Sequence, residues 1–292
     1  MNLSSNPTAH DSVNIVHATH LIQDPAQAAS FLKKLGFEIL EFIKVSDGGN
    51  THCYQISLNE TYISFERRNN LYTQEFVDIP ITKFGLGTKD IESTQGRLTL
   101  HGFHPLAIEE QQLLFPVAKK EQREIECKVF KLKKSDVLEG DVEFIDVSTS
   151  TKSNTKSLHY NALSHFHAII ICTNKPEETI ARYCWLTNKS SPRRIFDSSW
   201  QVELGQQKII VCSVEDVERT FPSVNVTNLP SILGYALLTE NLSKTKDCFS
   251  YNEFLLQSLN QGSFLLKLPD FIGGNLIIGS SASNFPWNDD FN

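Results

Sequence analysis

Apolar and polar residues follow one recurring order along the start of the chain. Residues 14–22 alternate as a strand does, and residues 25–35 place apolar side chains at helical spacing. Three runs rich in β-branched and aromatic residues follow, at 37–45, 51–58 and 61–68. The pattern predicts a strand, a helix and three more strands, which together form a βαβββ unit.

The unit begins again 66 residues later. Asp24 and Gly36 bracket the first predicted helix, and Asp90 and Gly102 bracket the second at the same spacing. Asp can cap a helix N-terminus, and Gly can end a helix in the left-handed conformation. In this second copy we expect an insertion at 104–122 before the strands near 125–133 and 141–147.

Two further copies are predicted in the C-terminal half. SHFHAIIICTN reads as a strand and PEETIARYCWL as a helix, with Asn174 at the cap position, and ILGYALL opens a fourth copy whose cap is Asn241. Residues 148–157 contain no apolar side chain and predict a linker.

The predicted fold class is therefore α+β, with four tandem βαβββ modules that form curved mixed β-sheet cups. The predicted organisation is an N-terminal domain at 10–147, the linker at 148–157, a C-terminal domain at 158–284 and a tail at 285–292.

Composition limits the class of function. The 292 residues are 40% hydrophobic and carry a net charge of −7, without a basic stripe that would indicate nucleic-acid binding. Neither a signal-like start nor an apolar stretch long enough for a bilayer occurs, and the six cysteines form no CxxC pair. We expect a cytoplasmic protein that binds a small molecule rather than nucleic acid or membrane, and a homodimer remains open.

Several common catalytic motifs are missing. The chain contains no GxGxxG, GxxxxGK, HExxH or GxSxG segment. Dinucleotide-binding, P-loop, zincin and serine-hydrolase functions therefore lack their usual sequence support.

Two segments of the first module, HATHLIQDPAQAASFLKKLGF and YISFER, resemble the glyoxalase-like members of the vicinal oxygen chelate superfamily. HYNA at 159–162 is similar to a degraded His-Pro-Asn-Gly segment of some glyoxalase-like proteins. The resemblance implies paired modules that surround a ligand cavity.

In this superfamily, a metal is usually held by a His or Gln on the first strand of a module and a Glu on its last strand. His17 and Glu66 occupy these places. Strand alternation agrees, because it directs Tyr62 and Glu66 into the cup and turns His20 to the other face.

The second module departs from this ligand pattern. Lys83 stands at the position of His17 and Asp146 at the position of Glu66, and Glu143 is expected on the opposite strand face. The resemblance thus implies a metal site of His17, Glu66 and Asp146, with open positions for water or substrate. Oxygen-rich ligands of this kind suit Mn²⁺, Fe²⁺ or Mg²⁺.

The leading hypothesis is a metal-dependent lyase, isomerase or dioxygenase that acts on a small oxygenated metabolite. Glu66 or His52 would move a proton, although His52 could equally be a surface residue. Substrate contacts are expected from Tyr54, Tyr62, His159 and Asn161.

Two alternatives remain beside the enzyme. Lys83 and the ligand-poor C-terminal half favour a metal-free binding or sequestration protein, similar to antibiotic-binding relatives. A scaffold would be favoured if side chains filled the cups. His165 and His167 share a strand face and could line a second cleft.

Overall fold

A βαβββ order of elements occurs four times in this chain. The computed structural model describes residues 14–46, 49–67, 81–116, 122–146, 159–250, 256–259 and 262–288. Sixteen strands and five α-helices lie within these ranges. The predicted linker at 148–157 lies outside the described residues.

Two modules form the N-terminal half. Their elements are β1 (Asn14–Ile22), α1 (Pro25–Lys34), β2 (Leu40–Ser46), β3 (Gly49–Leu58), β4 (Thr61–Arg67), β5 (Ile81–Thr88), α2 (Ile91–Leu100), β6 (Glu109–Pro116), β7 (Gln122–Lys131) and β8 (Asp141–Asp146). The predicted insertion at 104–122 contains β6, so the second module is complete and that part of the prediction is wrong.

Two modules also form the C-terminal half. Their elements are β9 (Leu163–Cys172), α3 (Pro176–Thr187), β10 (Arg193–Phe196), β11 (Ser199–Leu204), β12 (Gln207–Cys212), α4 (Val214–Thr220), β13 (Ser231–Thr239), α5 (Leu242–Ser250), β14 (Leu256–Ser258), β15 (Phe264–Lys267) and β16 (Asn275–Gly279). The sequence patterns did not identify β10 or α4.

The predicted helix ends of the first two modules are confirmed. The Asp24 and Asp90 carboxylates each accept a hydrogen bond from the backbone N–H three residues further on, at 3.0 and 2.9 Å. Gly36 and Gly102 have φ values of 81° and 83°, in the left-handed region. The Asp caps fix where each helix begins, and the left-handed Gly residues fix where it ends.

The third and fourth modules begin their helices differently. The Asn241 side chain accepts a hydrogen bond from the backbone N–H of Lys244 at 3.0 Å, so this predicted cap is confirmed. The cap position of α3 is Lys175, which makes no side-chain capping bond. Asn174 is therefore not the cap, and Pro176 in the first turn supplies the helix start signal instead.

The N-terminal sheet closes into a barrel. In each module the first strand lies parallel to the last, as β1 to β4 and β5 to β8. The modules join through the antiparallel pairs β1–β5 and β2–β6, which gives the closed order β1-β4-β3-β2-β6-β7-β8-β5. Side chains on the inner strand faces therefore converge on the barrel interior.

The C-terminal sheet stays open. Its order is β10-β11-β12-β9-β13-β16-β15-β14, and among the described strands the two modules pair through β9 and β13, which are antiparallel. β10 and β14 are its two edges. The predicted class of α+β modules in curved mixed sheets is confirmed, with a barrel in one half and an open cup in the other.

The two halves share one apolar core. Buried residues such as Ala18 and Phe65 belong to the same cluster as Ile169 and Tyr235 of the C-terminal half. Burying this much apolar surface between the halves favours a fixed association. No helix in the described part of the chain has the length and apolar character needed to span a bilayer.

A second apolar cluster fills the concave face of the C-terminal sheet. Val217 and Phe221 of α4 contribute to it, together with Phe285 and Trp287 near the chain end. The Phe285 ring stacks between His167 and Trp287, at centroid distances of 5.0 and 5.1 Å. The chain's own side chains therefore occupy this cup.

Candidate functional site

A buried polar network crosses the interior of the N-terminal barrel. His17 of β1 is 2% exposed, and its Nε2 lies 2.6 Å from Glu143 Oε1 on β8. On its other side, Nδ1 lies 3.2 Å from Thr19 Oγ1, which in turn lies 2.8 Å from Ser64 Oγ. The imidazole is thus held at both nitrogens, as predicted for a residue that faces the cup.

Glycine makes room for this imidazole. Gly85 of β5 is the strand partner of His17, and a Cβ at that position would lie 2.5 Å from both His17 Cδ2 and Nε2. Tyr62 of β4 stacks on the ring from another side, with centroids 5.3 Å apart. The imidazole plane therefore has little freedom.

Glu143, rather than Asp146, reaches the interior from β8. Val142 and Phe144 belong to the core outside the barrel, so alternation turns Glu143 inward and gives Asp146 the outward parity. The sequence assignment of Glu143 to the opposite face is wrong. Asp146, predicted as a metal ligand, ends β8 without that inward parity.

Lys83 lies between two carboxylates. Its Nζ is 3.8 Å from Glu66 Oε1 and 3.7 Å from Glu143 Oε2. The Lys83 and Glu66 side chains are only 11% and 12% exposed. A fixed positive charge therefore occupies the centre of the polar network.

The pKa shifts define the charges of this network. Burial would raise the pKa of Glu143, but Lys83, Lys44 and His17 outweigh it and hold the pKa well below the usual value. Burial would likewise raise the pKa of Glu66, and the two lysines again lower it. Both carboxylates are ionised at neutral pH.

Burial lowers the pKa of His17, against the opposing attraction of Glu143, and keeps the imidazole neutral. A neutral imidazole beside an ionised carboxylate carries its proton on the facing nitrogen. We therefore assign the proton to Nε2, which donates to Glu143, while Nδ1 accepts from the Thr19 hydroxyl.

Inward-facing residues at one end of the barrel are partly exposed to solvent. Phe42 of β2 stacks on Phe115 of β6 at 5.2 Å and meets the edge of Tyr62 at 6.5 Å. Lys44 follows on the same face of β2 and pairs with Leu113. Phe42 is buried, and the other four residues, Lys44, Tyr62, Leu113 and Phe115, are half-buried. We call the end of the barrel that these five residues line the barrel mouth. It combines an apolar wall with a cation.

These residues do not fit a divalent metal. A metal bound at His17 Nε2 would have to replace the 2.6 Å contact with Glu143 and move the ring proton to Nδ1. The Lys83 ammonium stands between the two carboxylates that would bind the ion. No group of three or more His, Cys, Asp or Glu side chains in the described ranges is arranged to hold a metal.

Two predicted site residues lie on the outside of the barrel. His52 is half exposed, and its Nε2 lies 2.6 Å from Glu41 Oε1. Tyr54 shares that strand face and packs edge-on against His52, with centroids 5.4 Å apart. His52 thus takes the surface position that the sequence left open for it. Tyr54, expected as a substrate contact, does not face the interior, because the inward residues of β3 are Cys53 and Gln55.

Two other predicted contacts join the halves. His159 is 5% exposed; its Nδ1 accepts from the Glu38 backbone N–H at 2.9 Å, and its Nε2 donates to the Ser57 carbonyl at 2.8 Å. The Asn161 side-chain amide donates to the Leu35 carbonyl at 2.9 Å. Both residues, predicted to contact substrate, hold the second half against the first and lie outside the polar network.

The histidine pair of the C-terminal half does not form an open cleft. His167 is stacked by Phe285, and His165 Nδ1 lies 2.8 Å from Ser164 Oγ. The sequence reading missed Lys44 as a site residue. Its alternation with Phe42 along β2 is the signal that could have placed it inside the barrel.

Solved structures share this architecture. A hypothetical protein from Staphylococcus aureus aligns over 91% of this chain and 98% of its own, with a TM-score of 0.60 and 9% identity. The Mn(II)-bound glyoxalase from Novosphingobium aromaticivorans aligns over 92% and 82%, with a TM-score of 0.60 and 9% identity. A mutant 4-hydroxymandelate synthase from Streptomyces coelicolor aligns over 95% and 98%, with a TM-score of 0.54 and 12% identity.

The chain therefore shares the fold of these structures, and paired modules of this kind are what the sequence resemblance implied. No protein-family model and no curated protein matches its sequence. Identities this low establish a fold and leave the activity to the site itself.

Proposed function

We propose that this glyoxalase-like protein binds a small molecule in its N-terminal barrel without a divalent metal. The observation that carries the proposal is the Lys83 ammonium, 3.8 Å from Glu66 and 3.7 Å from Glu143. The positive charge that a metal would bring to the two carboxylates is supplied by the chain.

Charge balance supports this proposal. Two ionised glutamates face the ammonium groups of Lys83 and Lys44, and His17 is neutral. A divalent ion at the centre would stand a few ångströms from Lys83. In a partly desolvated site, that repulsion costs several kcal/mol, about 4 kcal/mol per pair of unit charges at 4 Å.

The sequence also suggested a metal-dependent lyase, isomerase or dioxygenase. Such chemistry would require His17 Nε2 to give up its contact with Glu143 and Lys83 to leave its position between the carboxylates. The Mn(II)-bound glyoxalase has the same fold, but the donor set of this chain is better suited to an organic ligand. Binding or sequestration is therefore the function that the site favours.

Metal binding tests the proposal directly. Protein purified without a histidine tag would be dialysed against Mn²⁺, and separately against Fe²⁺ under anaerobic conditions, and bound metal measured by mass spectrometry. We expect the wild type to retain far less than one ion per chain. Lys83→His should raise retention strongly, because it exchanges the central cation for a neutral donor near His17, Glu66 and Glu143.

Lys128→His is the matched control. Lys128 lies on β7 with its side chain 45% exposed and paired with Glu92 on the outer surface, so this variant should retain as little metal as the wild type. Stoichiometric Mn²⁺ or Fe²⁺ in the wild type, lost in His17→Ala, would contradict metal-free binding.

A further inference from the structure

We infer that the ligand of the barrel is an organic anion with an apolar body, and that Lys44 binds its anionic group. This inference rests on the proposed function and specifies its ligand. It follows from the position of Lys44, from the charges around it and from the apolar wall beside it.

Lys44 faces the barrel interior. It lies two residues after Phe42, whose ring contacts Phe115 and Tyr62 inside the barrel, so the two share a strand face. Its charge acts on the carboxylates of Glu66 and Glu143 within the interior. Its half-buried position keeps it in reach of a ligand that enters from the mouth.

Lys83 and Lys44 differ in their partners. Lys83 lies within 4 Å of both Glu66 and Glu143. For Lys44, no carboxylate within 4 Å occurs among the residues that the structure describes. A half-buried ammonium without a close counter-ion favours an incoming anion, and a charge-assisted hydrogen bond would form.

The neighbouring surface is apolar. The stacked rings of Phe42 and Phe115 lie beside Lys44, and Leu113, its strand partner, is followed across the sheet by Ile125. Leu113, Phe115 and Ile125 remain partly exposed although they face inward. A ligand body that covered them would gain about 25 cal/mol for each Å² of apolar surface removed from water.

A cationic ligand fits less well. The Glu66 side chain is 12% exposed, and Lys83 Nζ already lies 3.8 Å from its Oε1. Glu143 is 2% exposed and bonded to His17. An ammonium group on the ligand would therefore meet compensated carboxylates and two repelling lysines.

Three compounds with one ring and different charges test the inference: phenylacetate, phenylacetamide and phenethylamine. Dissociation constants would be measured by NMR titration of the full-length protein, with and without EDTA. We expect phenylacetate to bind at least about tenfold more tightly than the amide, equivalent to about 1.4 kcal/mol, and the amine to bind most weakly. EDTA should change none of the three.

Two variants localise the effect. Lys44→Gln should remove the preference for phenylacetate over phenylacetamide and leave amide binding intact, which also shows that the barrel is folded. Lys128→Gln, which removes a lysine from the outer face of β7, should keep the full preference.

The possible results separate the inference from the proposed function. Equal binding of the three compounds, a preference for the amide or amine, or no binding at all would overturn the anion inference. A phenylacetate preference that depends on Lys44 but disappears with EDTA would support the anion and overturn metal-free binding. A Lys44-dependent preference unaffected by EDTA supports both.

Discussion

Gly85→Ala tests whether the packing of His17 holds the polar network together. The new Cβ would lie 2.5 Å from two atoms of the His17 ring and 2.8 Å from Ile145 Cδ1. Tyr62 stacks on the ring, so a shift of His17 breaks its 2.6 Å contact with Glu143. Either the strain persists, at about 1–3 kcal/mol, or a hydrogen bond to a charged group is lost, at about 1.5–3 kcal/mol.

The chain adopts the less costly of the two responses, so the packing penalty is about 1–3 kcal/mol. Replacing Gly by Ala also restricts the unfolded chain, which returns about 0.4–1 kcal/mol. We therefore expect the free energy of unfolding to fall by about 1–2 kcal/mol. Urea denaturation followed by circular dichroism measures this difference.

Two comparisons make the test specific. Gly96 lies within α2, and a Cβ there would meet nothing within 4 Å, so Gly96→Ala should stabilise the protein by about 0.5–1 kcal/mol. In a His17→Ala background, Gly85→Ala should cost at least about 1 kcal/mol less than in the wild type. The reasoning is refuted if Gly85→Ala behaves like Gly96→Ala, or if its cost is unchanged without the imidazole.

Three further predictions concern the rest of the fold. Burial lowers the pKa of His20 from 6.5 to about 4, so its neutral form contributes stability above pH 6.5 that is lost as pH falls towards 4. The His20→Phe variant cannot titrate at this position. Its free energy of unfolding should therefore decline less between pH 7 and pH 4, by up to about 3 kcal/mol. Asp24→Ala should cost about 1 kcal/mol in urea denaturation through loss of the helix cap, whereas Asn174→Ala, which removes no cap, should stay within about 0.5 kcal/mol. Trp287→Ala should cost about 3–5 kcal/mol because the ring is fully buried in the C-terminal cup, whereas Trp185→Ala, at a ring 54% exposed, should change stability little.

Helix signals gave the most reliable sequence predictions. The spacing of Asp24 and Asp90 fixed the position of the preceding strand, because a capped helix start and a left-handed Gly leave little freedom in the chain between them. Counting back from each cap placed His17 and Lys83 at equivalent positions, and both occupy the barrel interior.

The spacing from the helix cap does not predict which residue of the last strand in the second module faces the barrel interior. His17 pairs with Tyr62, but Lys83 pairs with Asp141, so the separation between first and last strand differs between the modules. Alternation was ambiguous as well. Ile145 is apolar and buried, at 8% exposure, although it faces the barrel interior. Apolar residues therefore occupy both faces of β8, and hydrophobicity does not show which face carries Glu143.

The polar interior of the barrel explains why the sequence did not assign the two faces of β3. Sequence patterns assume that apolar residues face a core and polar residues face water. Here Gln55 is 6% exposed inside the barrel, while Tyr54 packs against the core on the other face. When both faces of a strand are covered and one is polar, hydrophobicity alone cannot assign His52 and Tyr54 to the outside.

The two pairs of modules form different sheets, one closed and one open, because their outer strands pair differently. In the N-terminal half, β2 pairs with β6 and closes a barrel whose inward residues at one end remain partly exposed. In the C-terminal half, β10 and β14 are separate edges, and Phe221, Phe285 and Trp287 fill the concave face. A ligand could enter the second cup only by displacing these side chains, at the cost of exposing a large aromatic surface. The N-terminal barrel thus keeps partly exposed inward residues at one end, Lys44 among them, whereas the concave face of the C-terminal sheet is a packed core.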